Sequence, residues 1–342
     1  MSLPPSEIPQ GAIRFNTDSQ KLEFYAQGEW WVMSTDTPNL GRSVDSTPGA
    51  RGVVAGGRNP ATTSSVEYFN ISSTGDSATF GNLTASRMNL GGFSSSTRGV
   101  FIGGETDSSV IDYITFSSTG SSASFGNLSN GTQYSDGTSN STRGLAIQGF
   151  DPGPGNVDTV EYVTIASTGT ISDFGNLTEP KRASRSSSSP TRAVIGGGLN
   201  PAGVNSIDFM TISTLGDAQD FGDLTNIFWD GESCSNATRA LWGGGVTNPS
   251  PDKINVIQYV TIATTGNAVN FGDLTEQLGQ NHACSSPTRG VWAGGQPGAS
   301  PYPKSVTISY VTLLTEGNAV DFGDLLNGRD WGTGVSNGHG GL

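Results

Sequence analysis

An all-β fold built from repeated four-stranded antiparallel sheets is what this sequence predicts, on three observations. First, one motif recurs six times; in its clearest copy it runs from Thr97-Arg98-Gly99-Val100-Phe101-Ile102-Gly103-Gly104 through Asp112-Tyr113 to Phe125-Gly126-Asn127-Leu128. Its arginines are Arg51, Arg98, Arg143, Arg192, Arg239 and Arg289, its aromatic anchors Tyr68, Tyr113, Tyr162, Phe209, Tyr259 and Tyr310, and its closing leucines Leu83, Leu128, Leu177, Leu224, Leu274 and Leu325. Second, the step from aromatic to leucine is 15 residues in every copy, and the step from leucine to the next arginine is again 15. Third, the 342-residue chain is 33% hydrophobic with 49 glycines, which suits short strands and tight turns; no stretch sustains the i, i+3, i+4 apolar pattern of a helix. A leucine-to-leucine period of 45 to 51 residues replaces the expectation of several domains with one stacked or closed array.

Each repeat reads as four strands. Strand a passes through segments such as Asn89-Leu90-Gly91-Gly92-Phe93 or Ser233-Cys234-Ser235, and a turn at Ser/Thr-Arg-Gly returns the chain as strand b, as in Val100-Phe101-Ile102, Leu241-Trp242 and Val291-Trp292. A glycine pair ends strand b in most copies. The loop that follows carries all of the length variation: 11, 9, 13, 11, 14 and 15 residues separate the glycine from the aromatic anchor. Strand c, for example Val160-Glu161-Tyr162-Val163-Thr164-Ile165, is rich in β-branched and aromatic residues. A glycine seven residues past the anchor turns the chain into strand d, which ends at Phe-Gly-Asn/Asp-Leu.

Four antiparallel strands with a period near fifty fit the blade of a β-propeller better than the shorter coil of a β-helix. The ends bear on closure. The segment from Gly328 to Gly340 reads as a lone strand a, while residues 12–15, 21–25 and 29–33 read as strands b, c and d lacking their strand a. Pairing the two would remove an exposed edge. The expectation is therefore seven blades, bounded at 8–40 with 328–342, 41–83, 84–128, 129–177, 178–224, 225–274 and 275–327; the alternative is six blades with an N-terminal anchor. Leu40 to Arg51 spans 11 residues instead of 15, which favours the alternative.

The glycine pair, the strand-c tyrosine and the strand-d aromatic resemble the kelch blade in layout, with Phe80, Phe125, Phe174, Phe221, Phe271 and Phe322 where kelch has tryptophan. Ile8-Pro9-Gln10-Gly11-Ala12-Ile13-Arg14-Phe15-Asn16-Thr17-Asp18, continuing to Glu29-Trp30-Trp31, resembles a segment of bacteriophage tail-fibre and virion-attachment proteins. The repeats resemble kelch-like arrays in structural proteins of tailed phages, especially those infecting marine cyanobacteria. Together the resemblances cover residues 8–342. They imply a non-enzymatic virion protein assembled in the host cytoplasm, a tail fibre or receptor-binding component whose partners are other virion proteins and a host surface glycan or protein. They also allow a homo-oligomer, a trimer in a fibre. The alternatives are a decoration or connector protein and, further off, a glycan depolymerase.

Charge and chemistry narrow the field. A formal charge of −13 argues against nucleic acid, whose binders neutralise phosphates, and no apolar run approaches the ~20 residues of a membrane span. The N-terminus lacks the basic start and apolar core of a secretion signal. Cys234 and Cys284 hold equivalent places and are expected free and buried, and His282 is expected in a structural role. No spacing suggests a metal site or cofactor. The repeated arginines are expected to bind neighbouring carbonyls or carboxylates, and Trp242 and Trp292 to be core.

Binding residues collect on loops held by a rigid scaffold. The face carrying the b–c loops and the d–a linkers is therefore the expected recognition surface, with Trp229, Tyr134, Tyr302, Arg182, Trp331 and Phe150 as contacts; Phe228 and Lys181 are placed there too.

Overall fold

The computed structural model describes residues 8–9, 11–16, 21–32, 51–106, 108–169, 171–247, 253–298 and 303–342. It divides into an N-terminal unit, 1–44, and a larger unit, 45–342.

In the N-terminal unit Ile13–Asn16, Lys21–Ala26 and Glu29–Val32 form an antiparallel three-stranded sheet. Its second turn is Gln27-Gly28 with φ of 57° and 85°, the positive pair that matches the twist of a two-residue hairpin. On one face Arg14 bonds Glu23 at 2.8 Å and lies 4.1 Å over the Trp30 ring.

Among the described residues, the larger unit contains six four-stranded antiparallel sheets in the predicted strand order a-b-c-d. Sheet 2 is Gly91–Ser94, Arg98–Ile102, Val110–Thr115 and Ala123–Asn127. Sheets 3 to 6 repeat it, with inner strands Asp136–Ser139, Arg185–Ser188, Glu232–Ser235 and His282–Ser285. Sheet 1 takes its inner strand from the other end of the chain: Thr333–Ser336 pairs with Arg51–Ala55, Ser336 opposite Gly52 and Thr333 opposite Ala55. Ser65–Asn70 and Ala78–Asn82 complete it. The expected pairing of the C-terminal strand with the N-terminal three is thus corrected. The reason is the 15-residue step after Leu325, which carries the chain one place beyond sheet 6, where Arg51–Ala55 already waits without an inner neighbour. The short step from Leu40 to Arg51 was its trace in the sequence. Residues 41–50, expected to begin a blade, lie outside the described residues.

The six inner strands lie side by side in cyclic order, and sheet 6 is bonded directly to sheet 1. Three sets of interactions run round this cycle. Each inner-strand serine hydroxyl donates to the carbonyl of the serine before it: Ser139 to Ser94, Ser188 to Ser139, Ser235 to Ser188, Ser285 to Ser235, Ser336 to Ser285 and Ser94 to Ser336, all at 2.6–2.8 Å. Each repeat arginine reaches the end of strand c in the next sheet, as Arg143 does to the Ile212 carbonyl at 2.8 Å and Arg289 to Ile71 at 2.9 Å. The same guanidinium covers its own strand-c ring at 4.4–4.8 Å. The structural reading of the arginines therefore holds. Finally, the amide of each c–d turn glycine donates to the strand-d phenylalanine of the preceding sheet, as in Gly120 to Phe80 (2.8 Å) and Gly75 to Phe322 (2.8 Å).

These bonds account for the fixed spacings. One added residue between anchor and leucine would carry the turn glycine away from its acceptor. The close approach also demands glycine in Phe-Gly-Asn/Asp: a Cβ on Gly81 would sit 2.2 Å from the Gly120 oxygen. Apolar packing follows the same plan, with one buried cluster at each of the six junctions between neighbouring sheets. Trp242 and Trp292 are fully buried in two of them, as expected. In every sheet the strand-c ring meets the strand-d phenylalanine edge-to-face at 5.6–6.0 Å, an arrangement worth roughly 0.5–1.5 kcal/mol beyond its buried area.

Candidate recognition face

The b–c loops and the d–a linkers lie together. Gln133 bridges Phe150, Arg182 bridges Leu199, Trp229 bridges Val246 and Arg58 bridges Asp330, each pairing a linker with the b–c loop of the sheet that the linker enters. The opposite end carries the a–b turns, the arginines and the C-terminal residues. There His339 Nε2 lies 2.8 Å from the Ser94 carbonyl, on the serine ring. An axial cavity of about 50 Å³ runs between the inner strands, lined by Asp136, Glu232, the ring serines and His339.

The linker chemistry differs from expectation at its buried layer. The position four residues past each leucine is occupied by Arg87, Thr132, Lys181, Phe228, Leu278 and Arg329, all turned inward and buried. Facing them, in the next sheet, is the residue before the aromatic anchor. Arg87 pairs with Asp112 at 2.8 Å, Lys181 with Asp208 at 3.0 Å, and Arg329 with Glu67. Where that acid becomes Gln258 or Ser309, the cation becomes Phe228 or Leu278. Glu161, facing Thr132, is bonded instead by Gln148 at 2.7 Å. Lys181 and Phe228, expected on the recognition surface, are both 0% exposed and belong to this layer. An unpaired buried charge costs several kcal/mol, so cation and acid come and go together.

Of the six expected contacts, four meet. Tyr134 and Trp331 pack edge-to-face with centroids 5.8 Å apart. Arg182 stands 5.8 Å from the Tyr134 ring and 5.5 Å from the Phe150 ring, and donates to Asn156 Oδ1 at 3.1 Å. Trp229 is different: 7% exposed, it packs with Ala183 and Val246 beneath Tyr134 and is a support, not a surface. An indole flanked by aliphatic neighbours on a short linker turns inward because its apolar area outweighs its single N–H. Tyr302 lies outside the described residues.

Sequence reasoning missed the polar partners of this cluster. Asp230 and Gln280 are joined by Gln280 Nε2 donating to Asp230 Oδ2 at 3.4 Å, and Lys253 Nζ donates to Gln280 Oε1 at 3.1 Å and to Gln296 Oε1 at 2.6 Å. Asp330, fully buried, is held by Arg58 at 2.9 Å and by Lys304. Burial pushes the Asp230 pKa up against the pull of Arg185, while burial brings Lys253 down to about 8. The signal that could have found Asp230 and Gln280 was available: both lie six residues past a repeat leucine, as Tyr134 and Trp331 do.

The candidate catalytic groups have structural duties. His282 is 0% exposed, its Nδ1–H donating to the Ala293 carbonyl at 3.0 Å and its Nε2 accepting from the Gly332 amide at 3.1 Å. Cys234 and Cys284 are free and buried, and burial raises both thiols. No cluster of metal-ligating side chains occurs among the described residues. What the face offers is aromatic surface, amides and ion-paired charges on a rigid frame. No family model matches the chain, and no curated protein matches it.

Proposed function

We propose that this chain is a non-enzymatic structural protein of a tailed-bacteriophage particle, a six-bladed propeller whose loop face serves in attachment. One observation carries the reading. The serine, arginine and turn-glycine bonds repeat at every junction between sheets, whereas all length variation and the exposed unlike side chains fall on one face, around Tyr134, Arg182 and Trp331. That is the division of labour of a scaffold that presents recognition loops. The cyclic bonding of six sheets supports the propeller and its blade number, and the resemblance of residues 8–31 and of the repeats to phage fibre and attachment proteins supports the particle. The burial and backbone bonding of His282 favour binding over catalysis.

Gold-labelled antibody against the chain, applied to intact particles, tests the reading. Label at the tail fibres is expected, with adsorption to host cells reduced by alanine at Arg182 and Phe150. Label on the head or neck would replace attachment with decoration, and release of reducing sugar from host polysaccharide would overturn the non-enzymatic reading.

A further inference from the structure

Six residues at one repeat position encircle the axis on the loop face, immediately before the inner strands: Asn89, Tyr134, Ala183, Asp230, Gln280 and Trp331. All six adopt left-handed backbone, with φ of 54–60°. This conformation disfavours side chains other than Asn, Asp and Gly. It is held by a chain of amide-to-carbonyl bonds around the axis: Asn89 to Trp331 (2.7 Å), Trp331 to Gln280 (3.1 Å), Gln280 to Asp230 (2.5 Å), Asp230 to Ala183 (3.4 Å) and Ala183 to Tyr134 (3.4 Å). Five of the six steps are bonded in this way; taking neighbouring Cα atoms as about 5.5 Å apart, as in a hydrogen-bonded strand pair, the ring is about 11 Å across from Cα to Cα. Less the width of the backbone itself, the opening is narrower than a helix, whose diameter with side chains is about 10–12 Å, and suits one small ring.

Its chemistry is two-sided. Half-buried Tyr134 and Trp331 supply aromatic surface on one side. Asp230 supplies oxygen across the ring from them, and Asn89 supplies it between the two aromatic positions: they are 6% and 7% exposed, yet Oδ1 of each accepts no hydrogen bond from the described residues. A buried acceptor left in that state costs roughly 1–3 kcal/mol. Burial first, and then the Asp230 carboxylate, raises the Tyr134 hydroxyl pKa, which places the two groups within each other's field. The cations nearby are committed, Arg58 and Lys304 to Asp330, Lys253 to Gln280 and Gln296, and Arg182 to Asn156. An anionic ligand would therefore meet unpartnered acceptors, and a cationic one would meet Arg182, Lys253 and the buried Arg185. Neutral hydroxyl donors on an apolar ring face satisfy both sides.

We infer that the axial mouth binds one neutral hexopyranose unit, the Tyr134–Trp331 pair taking its C–H face and the unpartnered oxygens of Asp230 and Asn89 accepting from its hydroxyls. The inference rests on the loop face being the recognition surface. The test is saturation-transfer NMR on the full chain with the methyl glycosides of glucose, galactose, mannose and N-acetylglucosamine, with glucuronate and glucosamine as charged probes. At least one neutral glycoside binds, with Kd in the millimolar range, and more tightly than either charged probe. Trp331→Asn and Asp230→Ala each weaken it about tenfold or more without lowering the melting temperature, because Asn and Ala already serve in the same backbone conformation at Asn89 and Ala183. Absence of binding by every neutral glycoside, preference for a charged probe, or binding indifferent to both substitutions overturns the inference. Host-cell adsorption separates the two levels. Adsorption lost in Trp331→Asn but unmoved by competing glycosides overturns the sugar and leaves loop-face recognition standing, as a protein would produce; adsorption unmoved by Trp331→Asn, Arg182→Ala and Phe150→Ala overturns both.

Discussion

Protonating His282 is expected to unlock the junction between sheets 6 and 1. The ring is fully buried and both nitrogens are used in the neutral form, Nδ1 as donor to Ala293 and Nε2 as acceptor from the Gly332 amide. A proton on Nε2 would set two N–H groups against each other. Burial, reinforced by the Arg329 charge, brings the pKa down from 6.5 to about 4. The folded value is depressed below the unfolded one, so the stabilisation is fully present above pH 6.5 and is lost as pH falls to about 4. Each pKa unit is worth about 1.36 kcal/mol, so the loss across that window is about 3 kcal/mol. Glu232 acts in the opposite sense. Burial raises its pKa from 4.5 to about 8, so its share is present below pH 4.5 and lost as pH climbs through 8. The histidine term is therefore isolated as a difference between wild type and His282→Gln, followed by urea unfolding from pH 7 to pH 4. The variant is the less stable at neutral pH, and the gap should shrink by about 3 kcal/mol towards pH 4. Parallel pH profiles would refute the assignment of both bonds to the neutral ring.

Three further outcomes are expected. Deleting residues 333–342 removes the inner strand of sheet 1 and one member of the serine ring, and should abolish cooperative melting; deleting residues 1–44 should leave the melting of the six-sheet unit in place, and the reverse pattern would refute the strand assignment. Lys181→Phe leaves Asp208 buried without its cation and should cost about 3–5 kcal/mol by urea titration, whereas Lys181→Phe with Asp208→Gln, which copies the Phe228 and Gln258 combination, should recover most of it. Cys234→Ser and Cys284→Ser should each cost about 1–2 kcal/mol in midpoint shift, and neither thiol should react with a thiol reagent until the chain unfolds, since burial disfavours both thiolates.

The loop face was legible in outline and misread in depth. Length variation located it, and Tyr134, Trp331, Arg182 and Phe150 do gather there. Trp229, Phe228 and Lys181 share the linkers yet point inward, because a linker residue's side depends on its offset from the leucine and on what the next sheet sets against it. Lys181 belongs by its linker to the loop face, but Asp208, 27 residues on in sequence, holds it in the buried layer.

The sequence by itself determined the strand order, the fixed and free segments and the structural duty of the arginines. These follow from local periodicity and from spacings that tolerate no insertion, and a repeated interface writes itself into the sequence six times. Tertiary structure alone decided where the chain closes and what converges on its axis. Pairing of Thr333–Ser336 with Arg51–Ala55 joins residues some 280 positions apart, and edge-hiding by itself favoured a different partner. Asn89 and Trp331 meet only because the inner strands follow one another in cyclic order; the bond between them comes from a backbone amide, which every residue but proline carries and no side chain announces.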